Sequence, residues 1–198
     1  MTPHRRLMEK HLRSLRQYVS GLVLNAGGGS EPYRWLGGEM INVDISVSPE
    51  VDLVCDLNST LPFRDDTFDT VLAISVLEHL PSPWHTLCEL NRVLRPGGII
   101  IVTVPLLWPV HDAPRDYWRF TPDSLQMLFQ EWEIVVNEPI GGKGVVLANL
   151  FHLMAVPRFL RRLSPAVLAL ARMIDGLSAS KESQVKWALG YVVVARRA

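Results

Sequence analysis

Cysteine is nearly absent from this chain of 198 residues. Its two cysteines, Cys55 and Cys88, are too few for a disulfide framework and do not have the spacing of metal ligands. We therefore expect both to be small, buried, apolar side chains in a reducing, cytoplasmic compartment. The sequence predicts no metal site.

The chain also lacks a net charge, since 20 Lys and Arg residues balance 20 Asp and Glu residues. This balance gives no electrostatic reason to expect a nucleic acid as the main partner, and none is predicted. Basic residues are concentrated in residues 1–18, where five of them accompany a single acid. We interpret residues 1–20 as a solvated N-terminal helix, with a functional basic arm as the alternative. No apolar core follows, so a secretory signal is not expected.

A long hydrophobic run is missing as well. No stretch reaches the roughly 18 apolar residues that a membrane-spanning helix needs. The nearest approach, residues 144–156, contains Asn149 and His152 and ends at Pro157. The sequence therefore argues against a transmembrane protein.

Short runs rich in Val, Ile and Leu are what the chain does contain, and segments of helical pattern separate several of them. The predicted strands are 22–26, 40–44, 51–55, 69–74, 98–104, 132–136 and 190–196. Runs that are apolar on both faces are typical of strands buried in a parallel sheet. The alternation predicts an α/β fold with a doubly wound, mostly parallel, seven-stranded sheet.

Helix signals complete the predicted organisation. Residues 83–94 form a helical pattern with Pro83 in the first turn and "RPGG" at its end, and Thr121 is a predicted N-cap for residues 121–130. Only residues 45–50 separate the second and third strands, fewer than the roughly dozen residues of a helical crossover. Either the crossover is unusually short, or 51–55 is a short edge segment. The chain is predicted to be one domain (1–198). Its parts are the N-terminal helix (1–20), a core with an acceptor loop (21–140), a helical insertion (141–188) and the final strand (189–198).

Three consecutive glycines follow the first predicted strand in "LVLNAGGGS", residues 22–30. We expect this turn to lead into a helix capped by Ser30 with Pro32 in its first turn, the place where such folds bind nucleotides. The dinucleotide pattern G-x-G-x-x-G lacks its last glycine, since Pro32 stands there. Glu31 also brings a carboxylate that would repel phosphate. A ligand without phosphates is therefore favoured.

Two acids follow the next two predicted strands. Asp44 ends the run "INVD", from which a carboxylate can accept both hydroxyls of a ribose, and Asp56 follows "VC". A carboxylate at Asp56 can accept from an exocyclic amine, while Leu57 holds the flat face of a base. Either acid alone is more often a turn former. Together, beside a glycine turn, they predict a pocket for adenosine.

From Gly21 to Pro105 the chain resembles the class I S-adenosylmethionine-dependent methyltransferases. "LVLNAGGGS", "INVDI", "CDLNSTLPFRDDTFDTVLAISVLEHL" and "ELNRVLRPGGIIIVTVP" follow one another in the order and spacing of that family. The sequence departs from the family at Asn25, where Asp is frequent, and at Glu31, where a further glycine is frequent. The resemblance implies S-adenosylmethionine as the cofactor, with its methionine part along the glycines. The residues that it implies to be cofactor-binding are Asn25, Gly27, Gly28, Gly29, Asp44, Ile45, Asp56, Leu57, Ser75 and Val76.

The segment "VPLLWPVHDAPRDYWRFT", residues 104–121, follows the carboxyl end of a strand and is the predicted acceptor site. His111 is the preferred general base, because an imidazole with a pKa of about 6.5 suits proton removal near neutrality. Asp112 could act instead or orient that imidazole, and His79 of "LEHL" is the competing base. The predicted substrate-binding residues are Trp108, Arg115, Tyr117, Trp118 and Arg119. The alternative is a purely structural loop in which Asp116 pairs with an arginine.

The "DYWRFT" pattern within this loop resembles a subset of small bacterial class I methyltransferases that is associated with cell-surface glycan or lipid-linked sugar synthesis. The leading hypothesis is methyl transfer to an oxygen or nitrogen of a small-molecule, glycan or lipid-linked acceptor. Two alternatives stay open, an NAD-dependent oxidoreductase and a non-catalytic cofactor-binding or membrane-associated partner protein. Residues 144–174 are interpreted as a lid, a homodimer interface or a peripheral membrane contact at the inner face of the membrane.

Overall fold

Seven strands form one sheet in the computed structural model, which describes residues 3–30, 32–111, 115–153, 164–178 and 181–198. The strands are β1 (Leu22–Ala26), β2 (Glu39–Asp44), β3 (Leu53–Val54), β4 (Phe68–Ile74), β5 (Leu94–Pro105), β6 (Trp132–Ile140) and β7 (Gly190–Arg197). Their order is β3-β2-β1-β4-β5-β7-β6. Strands β1 to β5 are parallel, and β7 lies antiparallel between β5 and β6. The predicted mostly parallel seven-stranded sheet is confirmed.

Helices cover both faces of this sheet. They are α1 (Pro3–Ser14), α2 (Pro83–Val93), α3 (Pro122–Leu128), α4 (Lys143–Leu153), α5 (Ser164–Ser178) and α6 (Lys181–Lys186). One face packs against α2 and α3 through residues such as Leu90 and Leu125, which are fully buried. The other face packs against α1, α4 and α5 through Leu12, Val145 and Leu168. In the described part of the chain, no helix combines the length and the apolar character needed to cross a membrane.

The predicted helix signals at α2 and α3 are confirmed, with one difference at the end of α2. Thr121 caps α3, because its hydroxyl accepts from the Ser124 N–H while the Ser124 hydroxyl receives the Thr121 N–H. Helix α2 ends at Val93, but the glycines after it do not form a separate loop. Strand β5 begins at Leu94 opposite Phe68, and residues 95–98 bulge out before regular pairing resumes at Ile99. Gly97, with φ of +76°, supplies the left-handed residue of that bulge.

The helix expected after the glycine run, with Ser30 as its cap, is not formed by the described residues. After residue 31, which lies outside them, the chain makes only a 3₁₀ turn at Arg34–Leu36 before β2 begins at Glu39. The connection of residues 27–38 is too short for a helix together with its two loops. Instead, Leu36, which is 1% exposed, packs in the same cluster as Leu12 of α1. Helix α1 thus covers part of the sheet face that a helix after β1 would cover.

The narrow connection between β2 and β3 also has a physical explanation. Strand β3 is a two-residue edge segment, which confirms the second of the two predicted alternatives. Asp52 holds it in place, because its backbone N–H donates to the Asn42 carbonyl (2.8 Å) and its carboxylate accepts from the Asn42 N–H (2.7 Å). At this edge the hydrogen bonds of Asp52, instead of a crossover helix, fix the position of the strand.

Candidate active site

The glycine turn lies at the carboxyl edge of the sheet and is tied to the end of β2. The N–H groups of Gly27 and Gly28 donate to the Val43 carbonyl at 2.9 and 3.2 Å. The Gly29 N–H donates to Oδ2 of Asp44 at 3.0 Å. Two regions that the sequence placed in one pocket, the glycines and the first acid, are therefore in direct contact.

The glycines have a packing reason in addition to the close approach of a cofactor that is expected from the sequence. A Cβ on Gly27 would lie 2.2 Å from Cγ2 of Val76, and Gly27 has φ of +72°. A Cβ on Gly28 would lie 1.9 Å from Nδ2 of Asn25 and 2.1 Å from Oδ1 of Asn42. The bare backbone is thus already demanded by neighbouring side chains of the protein itself.

Asn25 supports the glycine turn through Asn42, a second asparagine that was not predicted to belong to the site. Its Nδ2 donates to Oδ1 of Asn42 at 2.7 Å, and Nδ2 of Asn42 donates to the Gly29 carbonyl at 3.0 Å. Both asparagines are fully buried. They are register partners in adjacent strands. The signal was present in the sequence, since both predicted strands carry an asparagine near their carboxyl ends.

The two predicted acids present their carboxylates beside this turn. In Asp44, Oδ1 accepts from the Ser46 N–H (2.8 Å) and Oδ2 from the Gly29 N–H (3.0 Å), which fixes the plane of the carboxylate. Each oxygen keeps a further lone pair, so the group can accept two adjacent hydroxyls. Ile45 beside it is 53% exposed.

Asp56 is exposed, and its Oδ1 accepts from the backbone and side-chain N–H groups of Asn58 at 2.9 and 2.8 Å. Leu57 beside it is buried, and one of its methyl groups would lie 3.5 Å from a Cβ on Gly27. A leucine therefore lies under the glycine turn, with a carboxylate next to it. This donor and acceptor set fits the ribose and base of S-adenosylmethionine.

The end of β4 changes direction at Ser75, which has φ of +53° although it is not a glycine. Its N–H donates to the carbonyl and to the hydroxyl of Thr103 on β5, both at 3.0 Å. This bend places Val76 under Gly27 and starts a 3₁₀ turn at Leu77–His79. A left-handed serine is costly, and such residues persist where the surroundings hold them, frequently at functional sites.

The loop after β5 is held by an ion pair. Arg119 donates to both oxygens of Asp116 at 2.5 and 2.6 Å, and also to the carbonyls of Trp108 and Pro109. The Arg119 guanidinium beside Asp116 holds the pKa of that carboxyl, whose side chain is 1% exposed, well below its usual range. The structural arrangement foreseen as an alternative is therefore present. Arg119, predicted to bind substrate, directs its N–H groups into the loop.

This loop also docks on the 3₁₀ turn after β4. The N–H of Tyr117 donates to the Glu78 carbonyl at 2.8 Å, and Nε1 of Trp118 donates to the Leu80 carbonyl at 2.9 Å. The Trp118 ring packs edge-on against Trp84 of α2, with centroids 5.6 Å apart. Of the remaining predicted substrate residues, Arg115 and Tyr117 are exposed and Trp108 is half-buried.

The two candidate bases are brought together by this docking. The rings of His79 and His111 lie edge to face with centroids 4.9 Å apart. Nδ1 of His79 lies 2.5 Å from the Arg115 carbonyl, and Nδ1 of His111 lies 3.3 Å from Oδ2 of Asp116. Burial lowers the pKa of His79. Asp112, the alternative base or orienting group, lies outside the described residues; Asp116 is the described carboxylate beside His111.

Glu78 lies close to these two histidines. Its side chain is 1% exposed, and burial raises its pKa to about 8. Its Oε2 has no hydrogen-bond partner among the described residues. The sequence indicated only a pairing residue here, and the burial of the carboxylate was not foreseen.

An open cavity of about 600 Å³ lies beside the loop. Its walls are mostly apolar and include the predicted Trp108, Tyr117 and Trp118. Helix α4 contributes Val146 and Leu150, and Trp187 follows α6. Val146 and Leu150 lie in the segment for which a lid was one interpretation, whereas Trp187 lies outside it and was not predicted.

Comparison with known proteins agrees with this geometry. Residues 26–102 match the family described as "Methyltransferase domain". A demethylmenaquinone methyltransferase of Renibacterium salmoninarum is 30% identical over 95 residues, which are 43% of this chain and 40% of that protein. The chain thus spans less than half the length of this relative.

Solved structures share the whole fold. An S-adenosylmethionine-dependent methyltransferase from Mesorhizobium loti matches with a TM-score of 0.63 at 14% identity, over 96% of this chain and 98% of the other. The 1,6-didemethyltoxoflavin-N1-methyltransferase of Burkholderia thailandensis, with its substrate and S-adenosylhomocysteine bound, matches with a TM-score of 0.58 at 18% identity, over 98% and 78%. The sheet order and the matched core of this chain are similar to those of the class I S-adenosylmethionine-dependent methyltransferases. S-adenosylmethionine is the cofactor of that class.

Proposed function

We propose that this chain transfers the methyl group of S-adenosylmethionine to an oxygen, or to a nitrogen, of a small or lipid-linked acceptor. One observation carries the proposal. The segment that leaves β4 first lies under the glycine turn at Val76 and, three residues later, places His79 against His111 beside the apolar cavity. This arrangement supports a reaction in which the glycine turn holds the cofactor, a histidine takes a proton and the cavity binds the acceptor.

The chemistry asks little of the protein beyond positioning. S-adenosylmethionine supplies an electrophilic methyl carbon on a sulfonium, which is an excellent leaving group. The residues of the chain must hold the acceptor in line with that carbon, exclude water and take the proton that an acceptor hydroxyl loses. Carbonyl and carboxylate oxygens face Nδ1 of both imidazoles, which assigns the ring proton to Nδ1 and a lone pair to Nε2. His111 remains the proposed base, with His79 as its competitor.

The lining of the cavity supports an acceptor with an apolar or aromatic body. Trp108, Trp118 and Trp187 present large rings, and Leu150 adds an aliphatic wall. Aromatic surfaces of this kind stack on flat rings and pack against hydrocarbon chains. The relative from Renibacterium salmoninarum is named for an isoprenoid quinone precursor, and a lipid-linked sugar would also combine a polar head with an apolar body. We therefore favour an amphipathic acceptor over a sugar phosphate.

Cofactor binding is the first test. S-adenosylhomocysteine titrated in a calorimeter is expected to bind, and Asp44→Ala and Asp56→Ala are each expected to weaken binding about tenfold to a hundredfold. Glu131→Ala, which removes an exposed acid of the α3–β6 turn, is the matched control and should bind normally. Absence of affinity for both S-adenosylmethionine and S-adenosylhomocysteine would refute the proposal. NADH binding in a fluorescence titration would favour the oxidoreductase alternative.

Catalysis needs a separate test with a panel of amphipathic hydroxyl and amine acceptors. His111→Ala is expected to lower kcat by about 10²- to 10⁴-fold while S-adenosylhomocysteine affinity is kept. If the cofactor binds and His111→Ala leaves every measured methylation rate unchanged, His111 is not the base. If no acceptor is methylated at all, the non-catalytic alternative gains support.

Membrane contact by the insertion is a second part of the proposal. Within the described residues of α4 and α5, Leu147, Phe151, Leu170 and Met173 are 66%, 40%, 54% and 57% exposed. Such a group of apolar side chains is typical of an interaction surface. Flotation with anionic liposomes should be lost in Leu147→Glu and kept in Met127→Glu, a control on α3 where the side chain is 73% exposed. A homodimer through the same surface would instead appear as a concentration-dependent mass in sedimentation.

A further inference from the structure

Three metal-ligating side chains converge beside the acceptor loop. Glu78, His79 and His111 each offer one ligand atom, and these atoms lie within 4.8 Å of one another. Glu78 and His79 belong to the 3₁₀ turn after β4, and His111 belongs to the loop after β5. Only the docking of the loop on the turn brings them together.

The outer partners of both histidines are those of metal-bound imidazoles. Nδ1 of His79 faces the Arg115 carbonyl at 2.5 Å. Nδ1 of His111 faces the Pro109 carbonyl at 3.2 Å and Asp116 at 3.3 Å. Since these oxygens only accept, each Nδ1 carries the proton and each Nε2 keeps a lone pair. Imidazoles that bind metals are held by such partners, which fix the tautomer and the ring orientation.

One oxygen of the carboxylate in this group lacks a donor. Oε2 of Glu78 has no hydrogen-bond partner among the described residues, and its side chain is 1% exposed. Oε1 lies 3.9 Å from Nε2 of His79, which is too long for a hydrogen bond. Arg119 is near, but it forms its bidentate pair with Asp116. A buried carboxylate oxygen without a donor thus lies close to two imidazoles, an arrangement that a cation would satisfy.

We propose that Glu78, His79 and His111 bind a divalent first-row transition ion of the zinc type. Two imidazoles and one carboxylate are a donor set of catalytic zinc sites, which keep a further coordination position open. Bonds of about 2.1 Å in a tetrahedron need ligand atoms roughly 3.4 Å apart, so the group must close slightly around the ion. His111 can supply that movement, since its side chain is 37% exposed.

The consequence for catalysis rests on the proposed function. An ion held by these residues would lie near Asp116, which lines the acceptor cavity, and its charge would lower the pKa of an acceptor hydroxyl bound to it. If the ion were bound, the two imidazoles would hold it and His111 would not be free to act as the base, so the ion would take over the activation of the acceptor oxygen. Metal binding itself can be measured without the methyl acceptor.

The test is titration of Zn²⁺ into the whole chain after treatment with a chelator and its removal. One ion per chain is expected by calorimetry, and Co²⁺ should give the visible absorption of a low-coordinate nitrogen and oxygen site. His111→Ala and Glu78→Gln each remove a proposed ligand. Loss of a residue that only hydrogen-bonds to a ligand lowers metal affinity by roughly 10- to 100-fold, so these two variants should weaken Zn²⁺ binding by at least that factor. His85→Ala, which removes an exposed histidine of α2, should bind as the parent chain does.

Each outcome is decisive. No stoichiometric uptake, or equal affinity in the parent chain and the His111→Ala and Glu78→Gln variants, overturns the metal site. Far-ultraviolet circular dichroism checks that Glu78→Gln is folded, and the more exposed His111 gives an independent variant. The two proposals are separated by measuring S-adenosylhomocysteine binding to the metal-free chain. If that ligand binds and Zn²⁺ does not, the metal site is refuted and the proposed function still stands.

Discussion

At the scale of single residues, the run "AGGGS" shows how far a motif can be interpreted from sequence. Its place after a strand and before two strand-end acids was enough to predict a nucleoside pocket. Its physical cause was not predictable, because Gly27 and Gly28 are demanded by Val76, Asn25 and Asn42, which the fold brings in from three strand ends. The contact between His79 and His111 could not be predicted either, since the two residues follow different strands and meet only through the docked loop.

Gly28→Ala is expected to destabilise the chain by about 1–3 kcal/mol, because a methyl group would overlap the Asn25–Asn42 hydrogen bond. The free energy of unfolding in urea measures this. Gly176→Ala is the control, since nothing lies within 4 Å of a Cβ there and alanine favours the helix, so its stability should be unchanged or higher by up to about 1 kcal/mol. Equal effects of both substitutions would contradict the packing explanation.

At the scale of elements, the strands were predictable and the connections were not. Runs of Val, Ile and Leu located all seven strands to within a few residues. For the central strands the reason is burial on both faces, which requires such runs. The helix predicted after Gly29 was wrong because helix signals are local, whereas room for a helix depends on the whole connection. The fold instead covers that face with α1 and with the insertion helices α4 and α5, whose positions no local pattern reports.

The edge strand β3 gives a pH-dependent prediction. The backbone N–H of Asn42, and then Arg34, hold the pKa of Asp52 below its ordinary value. A lowered folded-state pKa means that this stabilisation is present above about pH 4 and is lost as the pH falls through the folded-state value. Asp52→Asn should therefore destabilise the chain at pH 7, by a modest amount because the carboxylate is 45% exposed, and by less near pH 3.

Urea titrations at these two pH values measure that difference. Glu50→Gln, an exposed acid on the same connection, is the control and should show no such change between them. A cost for Asp52→Asn that is the same at both pH values would mean that the carboxylate charge does not hold the edge.

At the scale of the whole molecule, α1 is part of the core and not a solvated arm alone. Its outer face carries the basic residues noted in the sequence, and its inner face buries Leu7, Met8 and Leu12 against the sheet. The hydroxyls of Ser75 and Thr103 both point to the sulfur of Met8. The N-terminal helix thus supports the bend at the end of β4 from behind.

Leu12→Ala is expected to lower the free energy of unfolding by about 2–5 kcal/mol, because Leu12 is fully buried between α1 and the sheet. Arg6→Ala on the exposed side of the same helix should change it by less than about 0.5 kcal/mol. Denaturant unfolding followed by tryptophan fluorescence checks both. A similar small effect of the two substitutions would show that α1 is dispensable.

Saturating S-adenosylhomocysteine provides a prediction for the whole fold. At about a hundred times its Kd, the ligand should add about 2.7 kcal/mol of stability, which corresponds to a rise of roughly 5–10 °C in Tm for a chain of this size. Differential scanning fluorimetry measures it. Asp44→Ala should reduce the rise at the same ligand concentration, whereas an unchanged rise would place the ligand elsewhere.

The position of β7 has a consequence for how the chain is made. This strand lies between β5 and β6 and pairs with both over their length, yet it follows them in the sequence, after the insertion helices. During synthesis at about 5–20 residues per second, the backbone groups of β5 that pair with β7 have no partner strand until residues 190–197 leave the ribosome. The insertion delays that moment further. The nascent chain therefore passes through a stage in which its central strands are exposed to pairing with other chains, and we expect its folding to depend on chaperones more than its size suggests.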